Sequence, residues 1–369
     1  MPIMMLYNFL LRQVSQVLPQ ERITRIRNLT WLMIGMLQSK SVHLSHIANK
    51  IPSQAKLLSV TRRLTRFLAN PSVRPRRWYK PIATWLVECV LNSSRTIRLI
   101  ADGTKVGFHH QLLIISIAFR RRALPLAWTW VRSPKGHSSS LKQLALLRYV
   151  RNLIPEGIPV LVVGDSEFGS VEVIRELDSW NWGYVLRQKG DHLVEVGGAW
   201  RHFADLVTCQ GQSIWLGGCA LTKAHAYTTN LLAHWEKGEK DPWLLATNLP
   251  SRWATLMAYR LRMWIEEMFG DWKGHGFDIE STHLLHFARL SRLTLAVGWL
   301  YVWLVMTGVK VVKRGLRHIV DRKDRRDLSI FQIGLRWLNR ALTNSIFAHL
   351  IPLSPKLSGG FSLGVTFLV

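Results

Sequence analysis

Three carboxylates in this 369-residue chain are spaced so that they could share a cation. Asp102 follows the apolar run TIRLIA (96–101) and Asp165 follows PVLVVG (159–164), so each is expected where a strand ends. Asp after a strand also caps turns, and these two alone are a weak signal. A helix expected over 252–273 adds the third. On it Tyr259, Arg262, Glu266 and Lys273 stand at offsets 0, 3, 7 and 14, which at about 100° per residue fall within an arc of about 60°. One face then carries Glu266, with Arg262 a turn before it and Lys273 two turns after. Carboxylates converging from strand, strand and helix make an oxygen-ligand site for Mg²⁺ or Mn²⁺. Two such ions about 3.5–4 Å apart can activate a water or hydroxyl and stabilise the leaving oxygen in phosphodiester displacement. The basic neighbours would hold a nucleic-acid backbone in line. The competing reading is an amphipathic helix with salt bridges to its own neighbours, such as Arg262 with Glu266 at i, i+4. Glu267 points about 100° away from Glu266 and is the poorer ligand. Glu167, two residues past Asp165, is expected to face solvent.

These groups need a sheet to bring them together, and the patterning supplies one. Strands are expected at 96–101, 111–119 and 123–131, the last two joined by a tight Arg120-Arg121-Arg122 tip. A helix (138–153), a buried strand (159–164), a helix (170–179) and a strand (184–187) follow. This βββαβαβ order, a hairpin-linked triplet and then crossovers, is what a ribonuclease-H-like fold requires. Residues 190–240 contain Gly-Gly twice, short alternating runs and several Trp, and read as a β-rich insertion. The strand 243–247 and the helix 252–273 resume the core. The fold class is therefore α/β: a ribonuclease-H-like mixed-sheet core with a β-rich insertion and a helical N-terminal domain. The boundaries expected are 1–95, 96–189, 190–241, 242–310 and 311–369.

Lys and Arg number 49 against 23 Asp and Glu, a net charge of +26, and the pI is near 10.8. That surplus calls for a polyanionic partner, and nucleic acid is the usual one. Apolar residues make up 48% of the chain, which excludes wholesale disorder. The first 100 residues hold 16 basic side chains and only two acids, Glu21 and Glu88. Within them, a helix around 44–51 and a second from about 53, with Leu57, Leu58, Leu64, Phe67 and Leu68 able to face a core, resemble a helix-turn-helix reader of DNA. Arg62, Arg63 and Arg66 load the second helix and are the expected DNA contacts; the rival is a solvated basic face on a small bundle. Three scattered cysteines (Cys89, Cys209, Cys219) make no zinc motif and fit a reducing cytoplasm. No signal peptide is expected. Residues 293–309 are 17 without a charge, at the lower edge of a membrane span, and are expected as a buried core helix with no membrane partner. His109, His110 and His137 have no metal-ligand spacing, Ser138–Ser140 reads as a helix cap, and Lys105 either touches phosphate or is merely exposed.

Tyr259-x2-Arg262-x3-Glu266-x6-Lys273 resembles the YREK signature of the IS4 family of insertion-sequence transposases. Asp102 in Ala-Asp-Gly-Thr is similar to that family's first catalytic aspartate, and Asp165 in Gly-Asp-Ser-Glu to its second. The resemblance covers about residues 40–310. It implies a DDE transposase in which Asp102, Asp165 and Glu266 hold two Mg²⁺ or Mn²⁺ ions, while Tyr259, Arg262 and Lys273 contact the terminal DNA strand. It implies further that the enzyme binds terminal inverted repeats as a homodimer in a synaptic complex, cleaves through a DNA hairpin and joins the ends to target DNA, at the bacterial nucleoid. An aromatic of the insertion would stack on a flipped base, with Trp200, Trp215, Trp235 and Trp243 as candidates. Two departures stand out: Ser166 replaces the arginine common after the second aspartate, and the C-terminal tail is modest where relatives dimerise. The rivals are a transposase-derived DNA binder that no longer cleaves and a membrane-associated protein built round 293–309.

Overall fold

The computed structural model describes residues 2–107, 110–132 and 138–344. His109, His137 and the Gly/Ser-rich tail 354–369 lie outside them. The chain divides into two compact units, residues 86–268 and residues 1–85 with 269–369.

The first unit is built on a ten-stranded sheet. Its strands are β1 (Ile97–Val106), β2 (His110–Phe119), β3 (Arg122–Arg132), β4 (Val160–Gly164), β5 (Gly183–Arg187), β6 (Leu193–Val196), β7 (Ala199–His202), β8 (Ser213–Leu221), β9 (Tyr227–His234) and β10 (Trp243–Thr247). They lie in the order β3-β2-β1-β4-β5-β10-β9-β8-β6-β7. The first five carry the expected ribonuclease-H-like pattern: β1, β2 and β3 pair antiparallel, and β4 and β5 add parallel to β1. Parallel strands need crossovers, which here are α6 (Ser140–Arg151) between β3 and β4 and α7 (Val171–Ser179) between β4 and β5. Ser170 starts α7 cleanly, its hydroxyl accepting from the Val173 N–H. Strands covered on both faces read as unbroken apolar runs, hence VLVVG in β4.

The residues from 190 to 241 continue this same sheet, because β10 pairs antiparallel with β5 and β9 with β10. A buried cluster of Val163, Val185, Leu232, Leu245, Ala258 and Tyr259 joins original and added strands to helix α8 (Arg252–Tyr259). Asp178 adds a polar tie, accepting from the hydroxyls of Tyr184 and Tyr227 and from Asn248 Nδ2.

Two expectations change here. β1 does not stop at residue 101: it runs on to Val106 against β2, so Asp102 lies inside the strand. What stops at Ala101 is the parallel pairing with β4. The helix over 252–273 is also not continuous. A 3-10 turn at Arg260–Arg262 separates α8 from α9 (Met263–Trp272), and Lys273 follows the end of α9.

The second unit is helical: α1 (Pro2–Val17), α2 (Ile23–Ser39), α3 (Leu44–Ala48), α4 (Leu57–Ala69), most of α5 (Pro75–Leu91), α10 (Phe287–Lys313) and α11 (Ile330–Thr343). α4 begins at Leu57 rather than 53, and Leu57 and Leu58 are exposed; only Val60, Leu64, Phe67 and Leu68 reach the core. α10 is the long apolar helix, and 89% of its most apolar stretch is buried. It packs on α2, α4 and α11. Arg292 is buried with it and donates to the carbonyls of Leu68 and Val73, each at 2.9 Å. At Gly308 and Gly334, α10 and α11 come so close that a Cβ on either would run into the other's backbone, at Ile330 O and Leu304 O respectively.

Candidate active site

Asp102 and Asp165 are brought side by side by register. The last parallel pair of β1 and β4 is Ala101 with Gly164, so the next residue on each strand is an aspartate. Asp165 N–H donates back to Ala101 O at 3.3 Å, holding the two backbones together at that step. Each carboxylate spends one oxygen on its own turn: Asp102 Oδ1 accepts from Gly103 N–H at 2.7 Å, and Asp165 Oδ1 from Ser166 N–H at 2.6 Å. The other oxygens, both Oδ2, face the same group.

That group is the Arg262 guanidinium. It lies 3.4 Å from Asp102 Oδ2, 3.9 Å from Asp165 Oδ2 and 2.7 Å from Glu266 Oε1. Three carboxylates from β1, the exit of β4 and the first turn of α9 therefore meet at one cation. The i,i+4 pair with Glu266 exists, and it is one contact of three.

Burial sets the electrostatics. Asp102 is 3% exposed, and desolvation pushes its carboxyl up to about 7; Arg262 opposes that rise, Asp165 and Glu266 add to it, and the Gly103 N–H opposes it. For Arg262, burial disfavours the charge, but Asp102, Tyr259, Asp165 and Glu266 outweigh it and hold the guanidinium above its ordinary value. With all three acids ionised the cluster carries three negative charges against one positive.

A hard divalent cation suits such a donor set, since carboxylate oxygens are its preferred ligands. Two of the three already have their free oxygens aimed at a common point by backbone hydrogen bonds. The guanidinium now fills that point. Among the described residues, no three acidic, His or Cys groups lie close enough as they stand to chelate one ion.

The remaining expected residues are distributed differently. Tyr259 is 3% exposed and packed in the core cluster, edge-on to Trp243 at 5.1 Å. Its hydroxyl is buried with no hydrogen-bond partner, and burial pushes its pKa up to about 12. Lys273 Nζ pairs with Glu280 at 2.9 Å. Of the four helix residues, only Arg262 and Glu266 join the aspartates. Glu167 does not face solvent: it is buried, and its carboxylate accepts from the Ser138 N–H. The Gln143 side chain donates to the Glu167 carbonyl at 2.6 Å, fixing the turn that carries Asp165. Glu267 turns away from the cluster to pair with Arg122 at 3.0 Å. Ser139 holds the position before α6 without a side-chain cap bond, and Lys105 is exposed. Trp200, Trp215, Trp235 and Trp243 are all half-buried. Sequence reasoning passed over Trp253, which is 70% exposed at the start of α8; no periodic pattern singled it out. On α4, Arg62 and Arg66 are exposed and Arg63 is half-buried.

The family model described as the transposase DDE domain matches residues 97–303, from the first residue of β1 into α10. No curated protein matches the chain. Among solved structures, the chain is similar to a piggyBac transposase synaptic complex with hairpin DNA, at 9% identity and a TM-score of 0.42, over 94% of this chain and 80% of that one. It is also similar to Marinitoga piezophila Argonaute in complex with 5′ OH guide RNA and target DNA, at 10% identity and a TM-score of 0.24, over 69% of this chain and 38% of that one.

Proposed function

The chain belongs to the transposase DDE domain family, and from that premise we propose that it binds the terminal inverted repeats of its own element, cleaves them and transfers the ends to target DNA. The finer kinship we assign is to the IS4 group, on the Tyr259-Arg262-Glu266-Lys273 spacing together with Asp102 and Asp165. What carries the catalytic part is the meeting of Asp102, Asp165 and Glu266 on one guanidinium.

Asp102, Asp165 and Glu266 are the residues that would hold the divalent metal, Mg²⁺ or Mn²⁺ and two ions in full occupancy. When bound, the metal supplies Lewis-acid polarisation of the scissile phosphate and a more acidic attacking water or hydroxyl. The protein's own part is positioning. Backbone N–H groups at Gly103 and Ser166 keep the two aspartates from rotating away, and the buried Glu167–Ser138 bond steadies the Asp165 turn. Among the described residues Arg262 is the one cation paired with all three acids, and it has the planar fork suited to a phosphate of the bound strand. Lys273, placed by the YREK resemblance on the same strand of DNA, would join it by releasing Glu280. Tyr259 acts through its packing in the buried cluster and against Trp243. A homodimer synapsing two ends and a hairpin step at each end complete the proposal by analogy with the IS4 group.

The test uses duplexes carrying the ends of the DNA that encodes this chain, incubated with the protein with and without Mg²⁺. Metal-dependent nicks at the element junction are expected. Glu266→Gln should lower nicking by at least roughly a thousandfold while end binding persists. If Glu266→Gln nicks like the parent, the assignment of the three acids fails. Tight end binding by the parent with no nicking under Mg²⁺ or Mn²⁺ would instead favour a transposase-derived DNA binder.

A further inference from the structure

The helical unit has a cavity of about 280 Å³ at the start of α2, lined there by Arg22, Arg25 and Asn28 and on α4 by Arg63, Arg66 and Asn70. Sequence spacing grouped Arg62, Arg63 and Arg66 as one basic stripe. The fold separates them: Arg63 and Arg66 line the cavity with two arginines about forty residues earlier, and Arg62 does not.

Several independent features make this a site for an anion. No acid lines it. Glu21 is the one acid among residues 1–85, and it is engaged by Arg25 at 3.3 Å and Arg77 at 3.8 Å. Among the described residues Arg22, Arg63 and Arg66 make no ion pair, so three guanidinium charges face one hollow without a counter-charge. The Arg63 Nε is wholly buried and has no hydrogen-bond partner, a donor whose desolvation is offset only when an acceptor arrives. α2 also begins at the cavity with no acid in its first turn and no side-chain cap from Arg22, which leaves its positive end open to an anion.

We propose that this cavity binds a phosphodiester of the DNA backbone, so that α2 and α4 together grip one phosphate and its neighbours. The inference rests on the DNA-binding reading above and goes beyond it by naming the contact: a phosphate clamp between two helices, with Arg22 and Arg25 as members and α4 held by its Arg63 and Arg66 rather than by base edges. Phosphate contacts fix register and orientation and carry no base information. The clamp would therefore grip any duplex.

The experiment is fluorescence anisotropy with a random-sequence 30-base-pair duplex at several salt concentrations, on the full chain. Each phosphate contact contributes about 0.9 to the slope of log affinity against log salt. Arg22→Gln plus Arg63→Gln should reduce that slope by about two and weaken binding on the order of 10- to 100-fold at 0.1 M salt. The charge-matched pair Lys323→Gln plus Arg325→Gln, elsewhere in the same unit, should leave the slope unchanged. Asn28→Lys, which adds a charge to the cavity wall, should steepen it by about one, a gain that misfolding would not mimic. Equal slopes for parent, Arg22/Arg63 variant and Asn28→Lys would overturn the clamp. So would saturable stabilisation of the parent by inorganic phosphate with those slopes equal, since that marks a free-anion site. Failure here is separable from failure of the transposase reading. Nicking that survives with unchanged slopes removes the clamp alone. Slopes that shift as expected, without metal-dependent nicking, remove the catalytic reading and keep the clamp.

Discussion

Asp102 is the residue whose environment is most at odds with its charge. It sits inside a strand, 3% exposed, with its pKa raised to about 7 by burial. A carboxyl raised in the fold binds its proton more tightly there than in the unfolded chain. Below the ordinary Asp value near 3.8 it therefore costs nothing, and the cost grows as pH rises from there until the folded group ionises near 7. Without divalent metal, Asp102→Asn should therefore be increasingly more stable than the parent as pH rises. The difference is expected to widen by roughly 2–3 kcal/mol between pH 5 and pH 8. Urea unfolding at both values in the presence of EDTA measures it, and a pH-independent difference would place the titration elsewhere. The same substitution removes a proposed metal ligand, so it should abolish nicking at every pH. A proposed metal ligand that destabilises its own fold is the usual trade between stability and function.

At the scale of elements, the β2–β3 hairpin shows local chemistry working against geometry. Its two turn residues, Arg120 and Arg121, both have positive φ, 46° and 61°. That left-handed pair is the form that matches the twist of a two-residue hairpin, and it favours Asn-Gly. Arginine adopts it at a cost, so strands of ten and eleven residues, β2 paired on both sides, must impose it. Arg120→Asn with Arg121→Gly should raise unfolding stability by about 1 kcal/mol, read as a higher denaturant midpoint at unchanged m-value. Arg122, next in sequence, is held by Glu267 on α9. Across the break between α8 and α9, Tyr259 packs in the buried cluster while Arg262, three residues on, reaches the aspartates.

Across the whole molecule, the two units are held by different means. The sheet unit relies on register and on a core shared by the original five strands and the four that extend them with β10. The helical unit relies on close helix approach at Gly308 and Gly334, where each glycine meets the backbone of the opposing helix. Gly308→Ala should therefore cost about 2 kcal/mol or more, because backbone on both sides leaves nothing flexible to yield. Hydrogen exchange should then quicken in α10 and α11 while amides of β1 and β4 keep their protection. Uniform quickening throughout would mean that the two units unfold as one. The surplus of positive charge also reads differently at this scale. Much of it is concentrated in the helical unit, where residues 1–85 hold 14 basic side chains and one acid, Glu21, and this long-range field is what would draw a duplex in before any contact forms.

Much of the architecture was legible because strand and helix periods are local. The apolar runs at 111–119, 123–131 and 159–164 and the helix start at Ser170 are set by neighbours in sequence, and the β1–β5 order followed from them. The candidate acids were legible for the same reason: a carboxylate just past an apolar run, and a glutamate one turn after an arginine. What chain-local patterning does not contain is register and partner. Only the β1–β4 pairing puts Asp102 beside Asp165, and only the packing of distant segments decides that Arg262 reaches the aspartates while Tyr259 is buried. Glu167 looked exposed because its partner, the Ser138 N–H, lies 29 residues away in sequence. Arg22 and Arg63 became one cavity for the same reason. The sequence alone determined which groups exist and which elements carry them. Their meeting depended on long-range packing, in which distant segments share the burial of one core and so fix each other's position.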